Sequence, residues 1–144
     1  MTTPFVHLRL HSEYSLTDGL IRLKALTQKA VEIGQPALAI TDETNLFGLV
    51  KAYKQAQGAG LKPIVGTDVW LHNAQDTAHP YRLTLLAMNQ TGYRNLTELI
   101  SRAWQHGQQQ GRAYLHKEWV LEQSDGLIAP VSYTHLTLPT ICSV

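Results

Sequence analysis

What most constrains this chain is a short strand that is apolar on both faces. Residues 36–41 read PALAIT. A strand with two dry faces fits only where a sheet is covered on both sides. The stretches around it have helical periodicity. Upstream, Leu23, Leu26, Ala30 and Ile33 fall one helical turn apart, with Thr17 or Asp18 available as N-cap and Gly34 and Pro36 as stops. Downstream, Leu46, Leu49, Val50, Tyr53 and Ala56 repeat the pattern until Gly58 and Gly60 end it. Further strands are predicted over residues 5–10, 63–71 and 81–88. A third helix stripe is predicted on Leu96, Leu99, Ile100, Ala103 and Trp104. A Gly/Gln-rich linker, HGQQQGRA, then leads to a short helix over 116–122 and a last strand-like GLIA. The alternation predicts an α/β fold with a parallel sheet wrapped by helices.

Composition narrows the function classes. Twelve Lys and Arg stand against eleven Asp and Glu, a formal net charge of +1. That balance argues against a nucleic-acid arm or a polybasic membrane patch, both of which need surplus cation. The chain is 44% hydrophobic and can bury a core. No apolar run approaches a membrane span, and the start, MTTPFVHLRLHSEYS, lacks signal-peptide character. The lone cysteine, Cys142, excludes a disulfide framework. A cytoplasmic location, with no membrane partner, is the expectation. There is no phosphate-binding GxxxxGK[ST] loop, no GxGxxG after a strand, no GxSxG elbow and no Cys-x-x-Cys pair.

In parallel α/β architectures the functional groups gather where strands end. Three such ends are polar here: Arg9 and His11 after the first strand, Thr41, Asp42 and Glu43 after the second, and Asp68 on the third. Histidine with three carboxylates suggests a mixed nitrogen and oxygen metal site. Arg9 points the other way. A guanidinium has no lone pair to give and repels a dication, so Arg9 is expected to take an ion's place and pair with Asp42 or Asp68. Each residue also has a plainer reading. His11 could cap the following loop, and His7 could be a core histidine. Asp42 could cap a helix starting near Asn45, Glu43 could sit in that helix's first turn, and Asp68 could be a turn acid.

The closing stretch VSYTHLTLPTICSV breaks the pattern. It is Thr-rich, has no periodicity and resembles a translated sequencing adapter. Residues 131–144 are therefore read as a non-native tail and residues 1–130 as the authentic part, which leaves Cys142 and His135 without functional weight.

FVHLRLHSEYSLTDG, PALAITDETNLFGLVKAYKQAQGAGLKPIVGTDVWL and NQTGYRNLTELISRA together resemble the polymerase-and-histidinol-phosphatase (PHP) domain at the N-terminus of bacterial DNA polymerase III alpha subunits. The resemblance implies the first part of a distorted (β/α) barrel, incomplete at this length. It also implies a polynuclear metal cluster at the strand C-termini of metal-competent members. Their His-x-His appears here as Arg9 and His11, their Thr-Asp-His as Thr41-Asp42-Glu43, and their Gly-x-Glu as Gly66-Thr67-Asp68. Arg9, His11, Asp42, Glu43 and Asp68 are thus expected to be vestigial metal-site positions, with no metal and no catalytic residue in this segment. The resemblance further implies a scaffold role and a docking face for a separate proofreading exonuclease subunit. In the full-length protein it implies DNA-directed DNA polymerase activity with Mg²⁺, a sliding clamp and primer-template DNA. The polymerase carboxylates would lie beyond residue 144. The alternatives are a free-standing PHP phosphoesterase or an error-prone polymerase paralogue.

Overall fold

The computed structural model describes residues 5–130, and the chain forms two compact units, Met1–Thr67 and Asp68–Val144. In the first unit the order is a short 3₁₀ turn (Glu13–Ser15), helix α1 (Leu23–Glu32), strand β1 (Ala37–Ile40), helix α2 (Leu49–Gly58) and the start of strand β2 (Lys62–Leu71). β1 is buried along its whole length and pairs in parallel with β2, Ala37 opposite Lys62 through Ile40 opposite Val65. The two-faced apolar strand was therefore legible as such.

Residues 5–10 do not form the regular strand expected of them. Ala39 N–H donates to His7 O at 3.3 Å and Thr41 N–H to Leu10 O at 2.8 Å, so the segment runs along β1. Leu10 N–H, however, donates to the Thr41 hydroxyl at 2.9 Å. A side chain has taken a ladder position, and regular pairing is lost. His7 is exposed and packs edge-on against Phe5, so it is not a core histidine.

α1 starts at Leu23 behind Arg22, not at Thr17 or Asp18. It buries Leu23, Thr27 and Ala30, while Ile33 lies beyond the last turn and is exposed. Its end is closed by Gly34 at φ +72°, whose N–H reaches Val31 O, while Gln35 N–H reaches Ala30 O. That left-handed residue is the reason for a glycine here. α2 begins three residues later than its apolar pattern suggests. Leu46 stays outside it and Val50 and Tyr53 are exposed, so the small residues Ala52 and Ala56 face the core. They pack with Leu23, Ala30, Leu38, Ile40 and Leu61, and Leu10, Tyr14 and Leu26 close the edge.

The second unit holds the end of β2, strand β3 (Tyr81–Ala87), helix α3 (Gln90–His106), strands β4 (Gln108–Gln109) and β5 (Arg112–Leu115), helix α4 (Lys117–Glu122) and strand β6 (Leu127–Ile128). The strands run in the order β4-β5-β2-β3-β6. β2 and β5 are parallel, but β3–β6 and β4–β5 are antiparallel, so the sheet is mixed and not purely parallel. The expected linker HGQQQGRA is a tight hairpin. Gln110 at φ +51° and Gly111 at φ +79° make a two-residue turn whose twist matches the flanking strands. α3 is capped by Asn89, whose side chain accepts from Gly92 N–H, and buries Leu96, Leu99 and Ala103. Trp104 is exposed and Ile100 half-buried.

Candidate functional site

Each unit holds one buried carboxylate at a candidate position, Asp42 in the first and Asp68 in the second. Asp42 follows β1 and is 3% exposed. Its Oδ1 accepts from Ser12 N–H at 2.6 Å and its Oδ2 from the Ser12 hydroxyl at 2.8 Å. The Asp42 backbone carbonyl accepts from the Thr67 hydroxyl at 2.6 Å. Asp42 therefore ties the loop after residue 11 to the end of β1. It does not cap α2, whose N-cap is Gly48, and its carboxylate is held by the Ser12 N–H and hydroxyl. Arg9 itself is exposed.

A second set of bonds runs alongside. The His11 Nδ1 lies 2.8 Å from Asp18 Oδ2, and Asp18 Oδ1 accepts from the Ser15 hydroxyl at 2.8 Å. Ser15 Oγ accepts in turn from Glu43 N–H at 3.1 Å. His11 thus fixes the following loop, as its plainer reading has it. Glu43 is half-buried and lies six residues ahead of α2, so it is not a first-turn carboxylate of that helix. The same loop bends sharply at Leu16, φ +67°, where Thr17 N–H reaches Ser15 O at 2.8 Å. Asn45 fastens it further, donating to Tyr14 O at 3.0 Å and Glu43 O at 3.1 Å.

Asp68 belongs to the second unit and has no exposed surface. It sits within β2, not in a turn, and its Oδ1 accepts a short hydrogen bond from the Thr84 hydroxyl on β3. Arg82, two residues earlier on the same face of β3, brings its Nε to 3.7 Å from Asp68 Oδ2. The Arg82 guanidinium also lies 4.8 Å over the Trp70 ring, and Arg112 covers that ring at 5.1 Å. A buried acid of this kind persists because it is hydrogen-bonded and matched by a cation.

The sequence reading missed Ser12, Asp18, Thr84 and Arg82. Ser12 and Asp18 lie within the loop already singled out. Thr84 and Arg82 sit at alternate positions of a strand whose other face is apolar, and a basic residue amid YRLTLLA was the available signal. An ion at Asp42 would have to share both oxygens with Ser12, and an ion at Asp68 would meet a guanidinium. Among the described residues no three His, Cys, Asp or Glu side chains are grouped so as to hold an ion.

A mixed α/β chain with acids at strand ends has its counterpart in a known class. Residues 7–140 match the family model of the PHP domain, and the chain belongs to that family. Its relatives make the kinship closer. DNA polymerase III subunit alpha of Pseudomonas aeruginosa is 54% identical over 129 residues, 90% of this chain and 11% of the relative. The same subunit of Escherichia coli K12 is 50% identical over 124 residues, 86% of this chain and 11% of the relative. The chain thus spans 11% of the length of these relatives. Among solved structures, a protein assigned as a metal-dependent phosphoesterase from Bifidobacterium adolescentis superimposes with a TM-score of 0.51 at 16% identity, covering 74% of this chain and 36% of that one. An amidohydrolase from Chromobacterium violaceum gives 0.51 at 21% identity, covering 69% and 36%. These two likenesses concern the fold.

Proposed function

We propose that the chain is the N-terminal PHP portion of a replicative DNA polymerase alpha subunit, and that this portion is a scaffold and docking face, not a phosphoesterase. The whole protein would be a DNA-directed DNA polymerase of the cytoplasm. It would use Mg²⁺ held by carboxylates outside this segment and engage primer-template DNA and a sliding clamp. A separate proofreading exonuclease subunit would dock on the PHP face. The observation that carries the scaffold reading is the commitment of both buried acids to protein partners: Asp42 to Ser12, and Asp68 to Thr84 and Arg82. Arg9 and Glu43, at positions where metal-competent relatives would need histidine, support the same reading.

Two assays on the full-length subunit test it. Phosphoester hydrolysis with Mn²⁺ should stay at background and be unchanged by Asp42→Asn. Sedimentation with the purified exonuclease subunit should show a one-to-one complex that survives deletion of the remaining domains. Mn²⁺-dependent hydrolysis abolished by Asp42→Asn would overturn the scaffold reading in favour of a working PHP phosphoesterase.

A further inference from the structure

Away from both acids, the second unit carries another pair of metal-competent side chains. β2 and β5 pair in parallel with Leu71 opposite Leu115, so the next residues along, His72 and His116, are cross-strand neighbours. His72 N–H donates to Leu115 O at 2.8 Å, which fixes the backbone at that point. The two imidazole centroids are 5.2 Å apart, with 37° between the ring planes. Both residues are half-buried. His116 occupies the N-cap position of α4 but makes no side-chain capping bond. Among the described residues neither imidazole has a hydrogen bond or ion pair. The two rings pack on each other, and His116 also meets the edge of Trp119 at 4.6 Å.

Neither ring spends a nitrogen on a described hydrogen-bond partner, so each neutral imidazole keeps a lone pair to offer an ion, and the two stand side by side. We propose that His72 and His116 form a two-histidine chelate for a divalent transition-metal ion of the Zn²⁺, Ni²⁺ or Cu²⁺ class. The separation suits it. With metal–nitrogen bonds of about 2.0–2.1 Å, the ion lies roughly 3.2 Å from each ring centre, and two rings at a tetrahedral angle stand about 5.2 Å apart. Imidazole is a ligand these ions accept, and solvent would fill the remaining positions. The Arg102 guanidinium lies 4.4 Å over Trp119, which packs against His116, and is held by Glu122 at 2.9 Å, so its charge is matched. The ion would join the C-terminal ends of two strands that otherwise share only a two-residue pairing. Because the unfolded chain holds no such site, binding would stabilise the folded unit.

The test uses the complete 144-residue chain. Calorimetric titration with Ni²⁺ and with Zn²⁺ should give one ion per chain. Long-range ¹H–¹⁵N spectra with Zn²⁺ should move the ring nitrogens of His72 and His116 and leave those of His7, His11, His79 and His106 in place. His72→Ala and His116→Ala should each weaken binding by roughly tenfold or more, since each removes one arm of the chelate. His79→Ala should change nothing. If either alanine variant misfolds, the spectra of the unmutated chain still decide. Absence of stoichiometric binding, ring shifts confined to other histidines, or undiminished affinity in both folded variants would overturn the proposal.

Discussion

Ser12→Ala isolates the bond that holds Asp42. The Ser12 hydroxyl donates to Asp42 Oδ2 at 2.8 Å and accepts from Tyr14 N–H at 3.2 Å. Ser12 has no exposed surface and Asp42 is 3% exposed, so water cannot readily replace what is removed. A hydrogen bond to a buried charged group contributes about 1.5–3 kcal/mol, and a neutral one about 0.5–1.5 kcal/mol. The two together predict a loss of roughly 2–4 kcal/mol, a large share of the ~5–15 kcal/mol that a domain possesses. For a chain of this length the melting temperature should fall by roughly 8–16 °C. The assay is urea denaturation followed by circular dichroism, on Ser12→Ala, Asp42→Ala and the double variant. The cycle should return a coupling of about 1 kcal/mol or more. A Ser12→Ala loss below about 0.5 kcal/mol, or additive single variants, would refute the reasoning that Ser12 is what satisfies the acid.

Thr84→Val keeps the shape of the side chain but removes the hydroxyl bonded to Asp68, which has no exposed surface. It should cost about 1.5–3 kcal/mol in the same denaturation assay. Gly92→Ala would put a Cβ 1.9 Å from Gly126 O and should destabilise strongly, whereas Gly58→Ala meets no atom within 4 Å at the end of α2. The latter should gain about 0.5–1 kcal/mol, and chemical denaturation of the pair checks both signs. Asp76 is held below its ordinary 3.8, chiefly by its hydrogen bond with His79 and also by the backbone N–H of Ala78. Its folded value is the lower one, so this contribution is present above the unfolded value and is lost as pH falls through the folded one. A carboxyl-detected NMR titration should show Asp76 titrating late on acidification, and His79→Ala should raise its midpoint.

Periodicity reveals what is buried more readily than it reveals how buried polar groups are matched. β1 was readable because four consecutive buried residues leave a run without polar interruption. α3 was readable because its stripe of Leu96, Leu99 and Ala103 is regular and long. The start of α2 was not, because apolar residues at Leu46 and Val50 mimic a stripe that the helix turns outward or leaves behind. The segment over 5–10 has strand composition, yet the Thr41 hydroxyl intercepts its ladder. HGQQQGRA looked like a linker because Gln at a left-handed position is uncommon, although Gly beside it was the cue for a hairpin. Asp42 and Asp68 stood out as strand-end acids. Ser12 and Thr84 did not, since a serine in a loop or a threonine in a strand has no pattern of its own. His72 and His116 are 44 residues apart, and only the parallel register of β2 and β5 makes them neighbours.

β2 runs from Lys62 to Leu71 without a break, and its two halves serve different packing units. Val65 is in register with Ile40, and only a few residues on, Trp70 is in register with Tyr114. Within the second unit, deleting Val69 would reverse the facing of Asp68 relative to Trp70 and Leu71, so β2 could not keep both the Asp68–Thr84 bond and its register with β5. Inserting a residue in the 72–80 connection would ask nothing comparable of the fold. Tolerance to changes in length should therefore collapse abruptly on crossing from that connection into the strand.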